Sequence, residues 1–218
     1  MAQERATRTR RALVHAAAEE FDRRGYHGAS LAAISQTVGM SLGALTFHFP
    51  TKDRLVEAIH ALGLSMTQRE MARVDEIPGC PMRRVRATLV AVTRLLQDEV
   101  VVRGAARLGV ERPCPGYAWT ATWVPKTGER LEQAHSAGCL RPEPAPEDVT
   151  ALAVGLVAAL ASGLHSWAGA PNGAAQVILG WDLVVSALRS DGPADEPLRA
   201  DELSCGPGCG RRSRGSAE

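Results

Sequence analysis

Residues 30–49 read SLAAISQTVGMSLGALTFHF, and they hold the side chains whose types and spacing have a clear chemical use. Ser41 and Thr46 offer hydroxyls to phosphates or base edges. Gly43 and Ala44 keep one helical edge thin enough to enter a DNA major groove. Leu45 and Phe49 are four apart and face inward, against Ile34 and Leu31. Gly39 permits a sharp turn between a supporting helix and this one. This is the spacing of a helix-turn-helix. The bland alternative is a small helical bundle that turns here for packing reasons alone.

Other chemistry is thin. The histidines at 15, 27, 48, 60, 135 and 165 do not pair with carboxylates or cysteines at metal spacing. No phosphate loop, GxSxG or dinucleotide fingerprint is present. No acid/base pair stands at catalytic spacing, so we expect no enzyme, no metal and no cofactor. The cysteines at 80, 114, 139, 205 and 209 are an odd set without metal-type clustering, most simply read as reduced thiols. Cys205 and Cys209 form a CxxxC in a tail, where a redox or metal role is the lesser reading. Trp119 and Trp123 are four apart and share one helical face if their helix starts early. They either stack on a flat apolar ligand or form a plain core pair.

The elements that position these groups read as helices throughout. Arg5–Arg24 carries Leu13, Ala17 and Phe21 on one stripe, and Gly25 stops it. Leu31–Thr37 follows a Ser30 cap, and Leu42–His48 follows a Ser41 cap. Lys52–Val74 is long. Met82–Val102, Gly104–Val110, Trp123–Ala137, Glu147–Ala168 and Ala174–Arg189 complete the set. Pro142, Pro144 and Pro146 mark a linker. The expected fold is all-α: an N-terminal three-helix helix-turn-helix domain over 1–54, then a larger helical ligand-binding and dimerisation domain over 55–190. Residues 191–218 read as a disordered tail. Two apolar helices near the C-terminus have more apolar surface than one subunit's side can cover. An isologous homodimer covers it, with burial within the monomer as the alternative.

Composition sets the outer limits. At 218 residues with 45% hydrophobic side chains, the chain can bury a core and is not wholly disordered. Val149–Ala161 is the longest apolar run and falls short of the roughly 18 residues a membrane span needs. The charged N-terminus lacks a signal-peptide core, so we expect a cytoplasmic protein with no membrane partner. Residues 1–54 carry eight bases against five acids, whereas residues 55–204 carry fourteen against eighteen. A basic head on a mildly acidic body points to a polyanion at the head alone.

Residues 8–55 resemble the DNA-binding domain of the tetracycline-repressor (TetR) family. The resemblance rests on AAAEEFDRRGYHGAS, Ile34, Val38-Gly39-Met40-Ser41, Gly43-Ala44-Leu45, Phe47-His48-Phe49 and Thr51-Lys52-Asp53-Arg54-Leu55. RATRTRRALVHAAAEEF, Phe47-His48-Phe49 and the stretch from Trp123 to Ala134-His135-Ser136-Ala137-Gly138 resemble the gamma-butyrolactone receptors of actinomycetes, pseudo-receptors included. Two positions depart from the pattern: Thr46 stands where the family usually has Tyr, and Leu42 where this group often has Lys.

The resemblance implies a dimeric repressor on a double-stranded, pseudo-palindromic operator, released by a small hydrophobic effector. Ser41, Thr46, His48 and Lys52 would touch phosphates, with Leu42 and Gly43 near base edges. Arg5, Arg8 and Arg10 would add backbone or minor-groove contacts, unless they are only a basic terminus. Trp123 would line the effector pocket. Trp119 and Thr120 are further candidates there, and Leu89, Val92, Leu108, Val154 and Val157 are candidates for an apolar slot. The effector would be lactone- or furan-like, or else an antibiotic if the lactone response has been lost.

Overall fold

The structure is a computed structural model that describes residues 2–113, 118–161 and 173–188. The described residues form helices α1 (Ala2–Gly28), α2 (Leu31–Val38), α3 (Leu42–His48), α4 (Lys52–Asp75), α5 (Pro81–Asp98), α6 (Val100–Glu111), α7 (Val124–Ser136), α8 (Pro146–Ala161) and α9 (Gly173–Leu188). A 3-10 turn, Trp119–Thr122, precedes α7. The all-α expectation holds. The tail from 191, with Cys205 and Cys209, lies outside the described residues, as do Cys114 and residues 162–168 of the expected eighth helix.

The chain divides into two compact units. The first takes Met1–Arg69 and Arg94–Thr122, and the second takes Glu70–Thr93 with the chain from Trp123 on. The long α4 therefore contributes to both.

In the first unit, the α1 stripe of Leu13, Ala17 and Phe21 is fully buried with Ile34, Leu45, Leu55 and Ile59. Glycines set how closely α6 lies on α1. A Cβ on Gly104 would meet the carbonyl oxygen of Ala18 at 3.0 Å. Gly25 has φ of 68° and ψ of 179°, so the regular helix breaks there, as the sequence predicts, and a further short turn runs to Gly28. A side chain at 25 would also strike the Glu111 carboxylate at 2.6 Å. Arg103 pairs with Asp22 at 2.9 Å across the same seam.

Two helix boundaries differ from the sequence reading. The run 82–102 breaks at Glu99, whose φ and ψ of −114° and 103° are extended. The apolar stretch on either side hides this break, because both helices bury that face. Trp119 lies in its own 3-10 turn, and Trp123 is the N-cap of α7. The helix does not start early, so the two indoles do not share one helical face.

In the second unit, Asp75 at the end of α4 takes hydrogen bonds from Lys126 and Arg130 of α7. The buried Arg130 also donates to Thr88 of α5. Arg86 of α5 forks onto both carboxylate oxygens of Asp182 in α9, at 2.8 and 3.0 Å. Val149, Ala153 and Val157 of α8 and Val177, Trp181 and Val185 of α9 are buried. Leu152, Leu179 and Leu183 are exposed at 45%, 61% and 64%.

The reading of reduced thiols fails at two positions: Cys80 and Cys139 are disulfide-bonded. Cys80 follows a turn at Gly79 (φ 111°), and Cys139 follows a left-handed turn at Gly138 (φ 72°). Neither position carries a local sequence signature of a disulfide.

Candidate nucleic-acid interface and effector site

The helix-turn-helix is built as its residues require. Ser30 Oγ accepts from Ala33 N at 3.1 Å and starts α2. Gly39 adopts φ of 70°, and the N–H groups of Gly39 and Met40 return to Gln36 and Ser35 carbonyls at 3.0 and 2.9 Å. Ser41 Oγ accepts from Ala44 N at 3.2 Å and starts α3. Leu45 and Phe49 are buried beside Ile34. Their burial fixes which face of α3 is left outward.

That outward face carries Ser41, Leu42, Gly43 and Phe47, all exposed, with Thr46 and His48 half-buried. A Cβ on Gly43 would meet nothing within 4 Å, so the fold itself does not require glycine there. Thr46 Oγ1 donates to the Gly43 carbonyl at 3.1 Å. Its proton is engaged, and its lone pairs remain as acceptors. Ser41 spends only a lone pair on its cap, so its proton remains to donate. Phe47 is 85% exposed, with the His48 ring edge-on at 5.6 Å. Sequence reasoning did not select Phe47 as a site residue, although its lack of an inward partner at i±4 was a usable sign.

The cations divide into free and engaged. Arg5, Arg8 and Arg10 are exposed on α1 as part of a helix, not an extended arm. Arg10 is engaged: its guanidinium lies 4.3 Å over the Phe49 ring and donates to the His48 carbonyl at 3.3 Å. Arg10, His48, Phe49, Arg54 and Glu57 rim an open cleft of about 320 Å³.

Lys52 is engaged too. Its Nζ donates to the Ala29 carbonyl at 2.7 Å and lies 4.4 Å over the Tyr26 ring. Burial holds its pKa below the usual lysine value, against an opposing pull from Asp53 and Glu20. The Arg112 guanidinium lies 4.7 Å from the centroid of the same ring, and the Tyr26 hydroxyl donates to Asp53 at 2.8 Å. That hydrogen bond raises the phenol's pKa. His60, also missed by sequence reasoning, is buried. Burial pushes its pKa down, against an opposing pull from the Arg112 backbone.

The effector candidates separate by unit. Leu108, Trp119 and Thr120 belong to the first, and Leu89, Val92, Trp123, Val154 and Val157 to the second. Trp123 is 1% exposed, and Leu89 and Val92 are fully buried. Val154 is half-buried. Trp123 is the N-cap of α7, and its carbonyl accepts from Thr127 N at 2.9 Å. Among the described residues, no three His, Cys, Asp or Glu side chains converge as a metal site, and no helix is long and apolar enough to cross a membrane.

A basic three-helix head with an outward, thin-edged third helix, joined to further helices, defines a helix-turn-helix protein. Residues 13–59 match the family model of the bacterial regulatory proteins, tetR family. The match covers the helix-turn-helix head and the start of α4.

It is 29% identical over 143 residues to the A-factor receptor protein of Streptomyces griseus, covering 65% of this chain and 49% of that one. It is 40% identical over 70 residues to the HTH-type transcriptional regulator UidR of Escherichia coli, covering 32% of this chain and 33% of that one. The chain thus spans about half or less of the length of these relatives. Among solved structures, it resembles one described as a gamma-butyrolactone receptor (ArpA-like protein), at TM-score 0.71 and 24% identity over 85% of this chain and 90% of that one. It also resembles one described as the molecular basis for control of antibiotic production by bacterial hormones, at TM-score 0.61 and 28% identity over 84% and 98%.

Proposed function

We propose that this protein is a ligand-responsive transcriptional repressor. It binds a pseudo-palindromic operator as a homodimer, and a small hydrophobic signal of gamma-butyrolactone type releases it. The observation that carries the DNA-binding half is the outward face of α3, where Gly43 has open space and Phe47 is exposed. Nothing in the head uses that face, and a major groove does. The exposed leucines of α8 and α9 support a two-copy assembly, which presents two recognition helices to two half-sites. The A-factor receptor and gamma-butyrolactone receptor relatives support the class of signal.

The effector acts by binding better to a conformer with wrongly spaced heads. Helix α4 begins in the head and contributes to both units, so we assign it the coupling role. Footprinting on the DNA upstream of the protein's own gene tests this reading. Two symmetric protected half-sites are expected, and protection that is absent or confined to one half-site contradicts it.

A second reading keeps the repressor and changes the signal to an antibiotic or other amphipathic molecule. Thr46 and Leu42, which replace the usual residues on α3, favour a divergent member. The same fold serves a protein solved with isovaleryl coenzyme A and operator DNA, at TM-score 0.66 and 25% identity.

A further inference from the structure

Arg10 of α1 turns toward the end of α3. We propose that it is a positioning residue: its guanidinium clamps the C-terminal end of α3 to α1 and so sets the pose in which the last turn of α3 meets DNA. The proposal rests on the repressor reading above, and it replaces the backbone or minor-groove contact that the resemblance implies for this residue. Three observations carry it.

First, helical spacing puts Arg10 one turn before Leu13 and Val14, at the start of the buried stripe of α1. Its stem therefore runs beside the core of the head. Second, the end of α3 has a carbonyl to satisfy. The Phe49 N–H returns to the Leu45 carbonyl at 2.8 Å, and Phe49 itself is extended, with φ and ψ of −138° and 91°. Pro50 follows and has no N–H to offer. The last carbonyls of a helix lack intrahelical donors, and Arg10 Nη1 donates to that of His48 at 3.3 Å. Third, one planar group makes two contacts. The same guanidinium lies 4.3 Å over the ring of Phe49, which is 1% exposed. Glu57, the carboxylate on the rim of the adjoining cleft, is taken by Arg54 at 2.7 Å and does not draw Arg10 away.

Helix α3 is thus held at three points. Ser41 caps its start, Leu45 and Phe49 anchor its inward face, and Arg10 holds its end. Thr46, Phe47 and His48 stand in the last turn and depend on that third point. Without the clamp this turn frays. The contacts that read sequence then weaken, whereas the attraction of the basic head to any phosphate backbone persists. Lysine is not a substitute: its ammonium is a point charge that reaches the ring or the carbonyl, whereas the flat guanidinium spans both.

The test uses the full chain and three variants, R10M, R10K and R8M. Arg10 and Arg8 are both exposed, so circular dichroism should show wild-type helicity in all three. Hydrogen exchange of the DNA-free protein reads the clamp directly. The peptide spanning residues 42–49 should exchange at least about fivefold faster in R10M and stay at the wild-type rate in R8M. Affinity is then measured for the upstream DNA segment protected in footprinting and for a shuffled duplex of the same composition. R10M should bind the protected segment at least about tenfold more weakly and the shuffled duplex within about threefold of the wild type. Its slope of log affinity against log salt should stay within about 0.3 of the wild type. R10K should keep at least about a threefold loss on the protected segment. Unchanged exchange in R10M, or equal acceleration in R8M, overturns the proposal. So does a slope shallower by about 0.9 in R10M with full affinity restored in R10K, which makes Arg10 a phosphate ligand. A wild type that binds neither duplex overturns the repressor reading instead, and the exchange result still decides the clamp.

Discussion

The ammonium of Lys52 donates to the carbonyl oxygen of Ala29, 2.7 Å away and 23 residues earlier in the chain. The bond ties the start of α4 to the junction before α2. It uses one of three N–H donors, so a phosphate contact remains open to the other two. Lys52→Met keeps the stem and removes both functions. We expect a stability loss of about 1–3 kcal/mol, because the substitution takes away a charged hydrogen bond. The slope of log affinity against log salt should become shallower by about 0.9. Urea unfolding and a salt titration of DNA binding separate the two: a stability loss with an unchanged slope would make Lys52 a clamp and nothing more.

Gly43 separates fold from function in the opposite direction. Its added methyl has open space, and alanine is the better helix former by about 0.8–1 kcal/mol. Gly43→Ala should match or exceed the wild type in thermal stability and bind DNA at least tenfold more weakly, because the groove edge thickens. Full DNA affinity in a stable Gly43→Ala variant would remove α3 from the major groove.

Much of this head was legible in the sequence. The caps at Ser30 and Ser41 and the glycine at 39 bounded α3 at its observed residues, since capping and turn chemistry are local. The rest depended on contacts between distant residues. The sequence neighbours of Lys52 say nothing of its contacts with Ala29 and Tyr26. The sequence could not show that Trp123 is buried, since that depends on packing. The disulfide-bonded state of Cys80 and Cys139 and the break at Glu99 had no local signal at all.

His60 predicts a pH dependence. Its burial lowers the folded-state pKa, while the unfolded chain keeps a value of about 6.5. Below that value the unfolded chain binds a proton that the folded chain refuses. Stability is therefore full above about pH 6.5 and falls as pH drops toward the folded-state pKa. Urea midpoints between about pH 7.5 and 5.5 should decline in the wild type and flatten in His60→Leu. Equal declines in both would assign the effect to other groups.

Leu183 tests the assembly. It is 64% exposed in the single chain, so Leu183→Glu leaves the subunit's own packing intact. In an isologous interface it places an unpaired carboxylate in an apolar contact, at a cost on the order of 3–5 kcal/mol. Sedimentation at micromolar concentration should show a dimeric wild type and a monomeric variant with unchanged helicity. A monomeric wild type would contradict the two-copy operator complex.

The most direct measurement titrates a gamma-butyrolactone into the complex of the full chain with fluorescently labelled DNA from its own upstream region, followed by anisotropy. The account predicts a tight complex, with two chains per duplex, that dissociates as the lactone is added at micromolar levels. A Trp123→Phe variant, which keeps an aromatic ring at this buried position, should hold the DNA equally well and need more lactone for release. A complex that forms normally and survives saturating lactone would contradict the signal assigned here, and no complex at all would contradict the repressor itself.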